Sequence, residues 1–171
     1  MNNFGVNGVL DDCEVELASI KSLLVGLGEA ANPSPYVKKY AVIRATGSIE
    51  IAFKQIIADK VDEDSHIQVK NFIKRKIRDS SCNPKLPMIE SMLSEFDSRW
   101  KEKFDELLSL EDKPKLKGAL TELVNARNEF AHGGNPNLNI DKTIEYFKSA
   151  RRVLEILDSV VNYEFEVDDE L

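Results

Sequence analysis

In the stretch VNARNEFAHGGNPN, residues 124–137, Arg127 and His132 stand with four residues between them, just ahead of Gly133 and Gly134. The chain has only two histidines, so a histidine placed here asks for an explanation. An imidazole has an ordinary pKa of ~6.5, and it both takes and gives protons near neutrality. A guanidinium binds a phosphate through two parallel hydrogen bonds and stabilises charge that develops on its oxygens. Side by side, the two groups supply what RNA cleavage without a metal requires. A purely structural reading stands beside this one. A histidine in the last turn of a helix often serves as a charge partner for the helix end, and Arg127 has Glu122 and Glu129 close by in sequence. Spacing alone leaves both open.

The segment LKGALTELVNARNEFAHGG explains how a fold positions the pair. Leu120, Leu123 and Val124 precede Arg127 by seven, four and three residues, so its stem lies on an apolar helical stripe. A buried guanidinium is costly unless an anion or a partner surface receives it. Gly133 and Gly134 supply the left-handed residue that ends a helix, which predicts a helix from Pro114 to Ala131 and puts His132 at its stop.

The other elements follow from the same period of 3.6. One helix is predicted in DDCEVELASIKSLLVGL, with Val15, Leu17, Ile20, Leu23, Leu24 and Leu27 inward. A long one is predicted over 36–61, with Ser34 as cap, Pro35 at its first position, and Val42, Ile43, Ile49, Phe53, Ile56, Ile57 and Val61 inside. A third is capped by Asp64 or Ser65 and ends near Asp79. Pro87 opens two shorter pieces carrying Met92, Phe96, Trp100, Phe104 and Leu107. A last helix, capped by Asn139 or Asp141, runs to about Tyr163. No stretch has the alternation of a strand, and no repeat or linker breaks the chain. The expected fold class is all-α: one domain spanning 1–171, an antiparallel bundle of four main helices plus short extra ones.

Composition removes several function classes. The 171 residues suffice for a core without disulfides, and Cys13 and Cys82 are isolated, with no metal-ligand spacing. No secretory leader is visible at the start of the chain, and no apolar run approaches the ~20 residues of a membrane span. A cytoplasmic protein is expected. A net charge of −7 argues against a nucleic-acid coat protein. Yet IQVKNFIKRKIR, residues 67–78, carries five cations and no acid. Lys70, Lys74 and Arg78 fall at i, i+4 and i+8, which suits an RNA backbone or a solvated face. Glu50 and Arg44 border the inner stripe of the long helix. Glu50 is placed to orient His132, to pair with Arg127, or to bridge Lys54 at i+4. His66 has no second ligand in sight, so no metal site and no cofactor are expected.

RNEFAHG resembles the signature of the HEPN superfamily, an Arg, usually a polar residue, and a His a few positions on. The flanking segments YAVIRATGSIEIAFKQII and IDKTIEYFKSARRVLEIL resemble the second and final helices of a bacterial branch that includes the RiboL-PSP and MAE_28990-type HEPN domains. The resemblance implies a helical bundle, with Arg127 and His132 as the catalytic pair of a metal-independent endoribonuclease and Asn128 as the polar helper. It implies RNA as substrate and a homodimer whose two motifs form one cleft, so that Arg127 faces the partner subunit. It also allows a toxin or phage-defence role, with an antitoxin or other partner protein. The alternative it leaves is a non-catalytic HEPN module that binds a nucleotide or a protein. One position departs from the family. Toxins controlled by a nucleotidyltransferase antitoxin carry a Tyr two residues after the His, where this chain has Gly134.

Overall fold

The computed structural model describes residues 1–28, 31–134 and 138–165. These residues form seven α-helices in order: α1 (Phe4–Leu27), α2 (Ser34–Asp62), α3 (Ile67–Ile73), α4 (Leu86–Phe96), α5 (Ser98–Ser109), α6 (Lys113–Ala131) and α7 (Ile140–Val161). A π-helical turn, Lys74–Arg78, extends α3, and no strand occurs among the described residues. The fold class is therefore all-α, as expected.

Side-chain pairs give the directions. Glu16 meets Arg44 and Asn3 meets Asp59, so α1 and α2 are antiparallel. Asn7 meets Arg151 and Lys21 meets Asp141, so α1 also opposes α7. Thr46 donates to the Leu123 carbonyl and Lys39 lies over Phe130, so α6 opposes α2. The four long helices thus form an up-and-down bundle in which α2 and α7 run parallel. One end of it collects the C-termini of α1 and α6 and the N-termini of α2 and α7. The site lies toward that end.

The core is the set of stripes these helices turn toward one another. α7 contributes Phe147, Ala150, Val153, Leu154, Leu157, Val160 and Val161, all buried, and each large apolar side chain contributes roughly 1.5–3 kcal/mol. α6 contributes Leu116, Leu120, Leu123 and Val124, the residues its period predicted. α5 lies against α7 through the buried Phe104 and Leu108.

α1 differs from expectation. Its buried stripe is Val6, Leu10, Cys13, Leu17, Ile20 and Leu24, while Val15, Leu23 and Leu27 are exposed. The helix also starts earlier, at Phe4. Glycine-rich NNFGVNG has poor helix propensity on its own. Asn3 caps it by accepting from the Val6 amide, and the buried Asp158 of α7 accepts the Asn2 and Asn3 amides. On α2, Ile43 is exposed rather than inward. With Tyr36, Tyr40, Gly47 and Ile51 it forms an open stripe along the outer face.

Candidate active site

α6 carries Pro114 in its first turn, and its N-cap Asp112 accepts from the Lys115 amide. It ends in a Schellman turn: the Gly133 amide donates to the Phe130 carbonyl at 3.0 Å and the Gly134 amide to the Glu129 carbonyl at 2.8 Å. Gly133 sits at φ +81°, the left-handed region where a Cβ is strained. A Cβ on Gly134 would lie 2.9 Å from the Glu129 carbonyl oxygen and 2.5 Å from its Cγ. Both glycines therefore fix where the helix stops. His132 is the C-cap, its amide bonded to the Asn128 carbonyl and its ring exposed. The same close approach explains why position 134 has no room for a Tyr.

Arg127 lies below this stop on the stripe of Leu120 and Val124, with 27% of its side chain exposed. Its Nη2 is 3.3 Å from Oε2 of Glu50 on α2. That pair was one of the arrangements the sequence allowed. The nearby Glu122 and Glu129 do not form it, and the anion that receives Arg127 belongs to its own chain. Glu50 is well occupied. Its Oε1 accepts from Lys54 Nζ at 3.2 Å and from the Cys82 amide at 3.1 Å. Lys54, 9% exposed, also donates to the Ser80 carbonyl at 2.7 Å. One carboxylate thus holds two cations and, with Lys54, ties down the segment after the π turn. Burial pushes the Cys82 thiol up, the Glu50 charge adds to this, and Lys54 and Arg127 oppose it.

Asn128 is half-buried beside Arg127. Glu50 is the one partner of Arg127 among the described residues, and the His132 ring has none there. Phe130, between them, carries the Lys39 ammonium 5.1 Å from its ring centre. Arg44, the other basic residue bordering the inner stripe, points to α1 instead. Its Nε meets Glu16 at 2.5 Å, and it also donates to Ser48.

The basic segment is rearranged relative to a plain helix. The Asp79 amide reaches back to the Lys74 carbonyl, closing the π turn. Arg78 leaves the line of Lys70 and Lys74 and pairs with Asp59 at 2.8 Å and Asp62 at 2.6 Å. Lys74, Arg75 and Lys76 remain exposed, and Lys70 half so. The Ser80–Cys82 segment was the part of the site that sequence reasoning left out, whereas the Glu50–Lys54 bridge was one of the pairings it offered. Lys54 had a visible signal, its i+4 spacing from Glu50. The segment had none, because backbone groups carry no composition.

Among the described residues, no three His, Cys, Asp or Glu side chains converge as a metal-ligand set, and no helix is long and apolar enough to cross a membrane. An all-helical bundle whose penultimate long helix stops on an Arg-x4-His sequence defines the HEPN class of domains. Residues 10–163 match the RiboL-PSP-HEPN family, and the chain belongs to it. No curated protein and no solved structure matches the chain.

Proposed function

We propose that this chain is a metal-independent endoribonuclease in which Arg127 and His132 act on one phosphate. The observation that carries the reading is the contrast within the motif. Among the described residues Arg127 is held by a single long contact to Glu50, and His132 stands exposed at a helix stop built on two glycines. In the reaction the ribose 2′-OH loses its proton to a base and attacks the adjacent phosphorus. The new O2′–P bond forms, the P–O5′ bond breaks, and the 5′ oxygen takes up a proton. His132 serves as base or acid, Arg127 stabilises charge on the phosphate oxygens, and Asn128 positions the phosphate or the imidazole. The products are a 2′,3′-cyclic phosphate and a free 5′-OH.

The open stripe Tyr36, Tyr40, Ile43, Gly47 and Ile51 is the face this reading gives to a second copy, which brings two motifs into one cleft. Lys70 and Lys74, with Arg75 and Lys76, are left for the RNA backbone, because Arg78 is committed to Asp59 and Asp62. A toxin or phage-defence effector in the cytoplasm is the role such an enzyme would fill. One observation favours a non-catalytic nucleotide- or protein-binding module instead: Glu50 already neutralises Arg127. Purified protein incubated with total RNA in EDTA separates the two. Cleavage by the wild type and none by His132→Ala supports the enzyme. Tight nucleotide or partner binding through Arg127 without cleavage supports the module.

A further inference from the structure

α3 and the π turn that extends it present an aromatic ring and several cations on one outward surface. Ile73 and Ile77 are buried against the bundle, so the opposite side of this segment faces solvent. There Phe72 is 60% exposed, with Val69 one turn before it and Lys76 one turn after. Arg75 stands on the crest beside them, and Lys70 and Lys74 line the other flank. Lys74, Arg75 and Lys76 are exposed, Lys70 half so, and none of the four has an acid partner among the described residues. The π turn produces this arrangement. Its wider ring lets Ile77 and Arg78 turn back toward α2 while three successive cations stay outside. The acids of α2 that lie nearest, Asp59 and Asp62, both pair with Arg78. On a chain of net charge −7, this surface is locally cationic.

The chain that leaves the π turn runs back along α2 to Arg127, and each step of it is bonded. Arg78 meets Asp59 and Asp62, the Ser80 carbonyl accepts from Lys54, and the Cys82 amide donates to Glu50, which holds Arg127. Asp59 and Glu50 are roughly 14 Å apart along the helix, an interval that a few nucleotides span. An anionic membrane fits the surface poorly, because an interfacial helix needs one continuous apolar face. Here Ile67 lies on the other flank from Phe72, and Ile73 and Ile77 are buried in the core. An RNA duplex hides its base faces and is read through phosphates and 2′-hydroxyls, which leaves Phe72 without a role. A single strand uses both features. Its phosphates meet the cations, and an unpaired base stacks on the ring, an attraction that every base offers.

We propose that α3 and the π turn form a platform for single-stranded RNA, on which Phe72 stacks an unpaired base while Lys74, Arg75 and Lys76 hold the backbone and lead the strand to Arg127. The proposal rests on the reading of RNA as substrate, and binding is measured apart from cleavage. The full chain is titrated by fluorescence anisotropy against a labelled 2′-O-methyl strand of about 12 nucleotides, which lacks the attacking 2′-OH, and against its blunt duplex. Phe72→Leu keeps an apolar side chain without a ring. It should weaken single-strand binding about tenfold and leave duplex binding unchanged. Phe72→Trp should restore the affinity, and the emission of the added indole should be quenched by the single strand and not by the duplex. Lys74→Gln, Arg75→Gln and Lys76→Gln together should flatten the log–log salt slope for the single strand by about 2. All these side chains are exposed, so circular dichroism should not change. In cleavage, Phe72→Leu should raise KM about tenfold with kcat near the wild-type value. Equal strand binding by the wild type and Phe72→Leu, or indole emission unchanged by the strand, overturns the platform. Wild-type binding to phosphatidylserine vesicles that Phe72→Leu removes, with no strand binding, overturns it and gives the surface to a membrane. A smaller sedimenting species for Phe72→Leu overturns it in favour of a second copy. Strand binding with the stacking signature by a chain that cuts no RNA keeps the platform and overturns the cleavage reading. Cleavage that Phe72→Leu leaves untouched, in KM and kcat alike, does the reverse.

Discussion

Two arginines of this chain, Arg44 and Arg127, have nearly the same exposure, 28% and 27% of the side chain, and each meets a glutamate. They flank α2 on opposite sides, Arg44 on the helix itself facing α1 and Arg127 reaching across from α6. Arg44 is held closely: its Nε is 2.5 Å from Glu16, a carboxylate that also accepts from Tyr40, and another of its nitrogens donates to Ser48. The Glu16 hydrogen bond pushes its guanidinium pKa up, against the opposing effect of burial. Among the described residues Arg127 has one contact, 3.3 Å long, to a carboxylate already occupied by Lys54 and the Cys82 amide. Burial does not distinguish these two arginines. What separates them is how many donors remain for something else.

The comparison breaks if the two arginines are interchangeable in function. Arg127→Ala should lower RNA cleavage by about a hundredfold or more, the scale of losing one charge-stabilising donor at a reacting phosphate. The loss should match that of His132→Ala, and the double mutant should be little worse, because groups that act as a unit are not additive. Arg44→Ala should leave the rate unchanged and cost about 1 kcal/mol of stability by denaturant unfolding. Equal loss of rate in both variants, at equal stability, would end the distinction. Next in size is Glu50→Gln. It leaves Lys54, nine-tenths buried, without its counter-charge, and removal of one partner from a buried pair costs several kcal/mol. With the Cys82 amide still bonded to the remaining carbonyl oxygen, a loss of about 2 kcal/mol is expected by urea unfolding.

α6 was the most legible element, because its local signals agree. A proline in the first turn, a single apolar stripe and two terminal glycines all point to one helix from Pro114 to Ala131, found at Lys113–Ala131. The start of α1 was hidden because its stabilisation is long-range. Asp158 accepts the Asn2 and Asn3 amides from more than 150 residues away in sequence. Cys13 was passed over as a core position, and without it the stripe phase shifted onto Val15 and Leu23. The π turn was equally hidden. A period of 3.6 places Arg78 in line with Lys70 and Lys74, and only the acids of α2 show that it turns the other way. In the site, the Arg127–Glu50 pair was legible as one of several pairings, since each residue borders an apolar stripe. Choosing among the pairings needed the packing of α6 against α2.

Gly133 sharpens the comparison from the side of geometry. At φ +81° an added Cβ costs about 1–2 kcal/mol, so Gly133→Ala should lower stability by that amount. The Schellman turn also fixes the backbone that carries His132, and the same change should reduce cleavage while leaving the Arg127–Glu50 contact in place. Stability loss with undiminished cleavage would show that the helix stop does not aim the histidine.

The smallest effect uses the two cysteines, because each arginine has one beside it. Cys13 is fully buried next to Arg44, and burial pushes its thiol up. Cys82 is only half-buried next to Arg127, so it is the thiol that a reagent should reach in the folded chain. Burial raises the Cys82 thiol first and the Glu50 charge second, while the positive charges of Lys54 and Arg127 lower it. Arg127→Ala removes one lowering charge, so the thiol rises further and less thiolate is present at a given pH. Iodoacetamide labelling of Cys82 at pH 8 should therefore slow in Arg127→Ala, and the difference should shrink in high salt as the charges are screened. Arg44→Ala should leave the Cys82 rate where it is. Faster labelling in Arg127→Ala would mean that the arginine holds the Ser80–Cys82 segment closed. It would then be a staple after all, as Arg44 is.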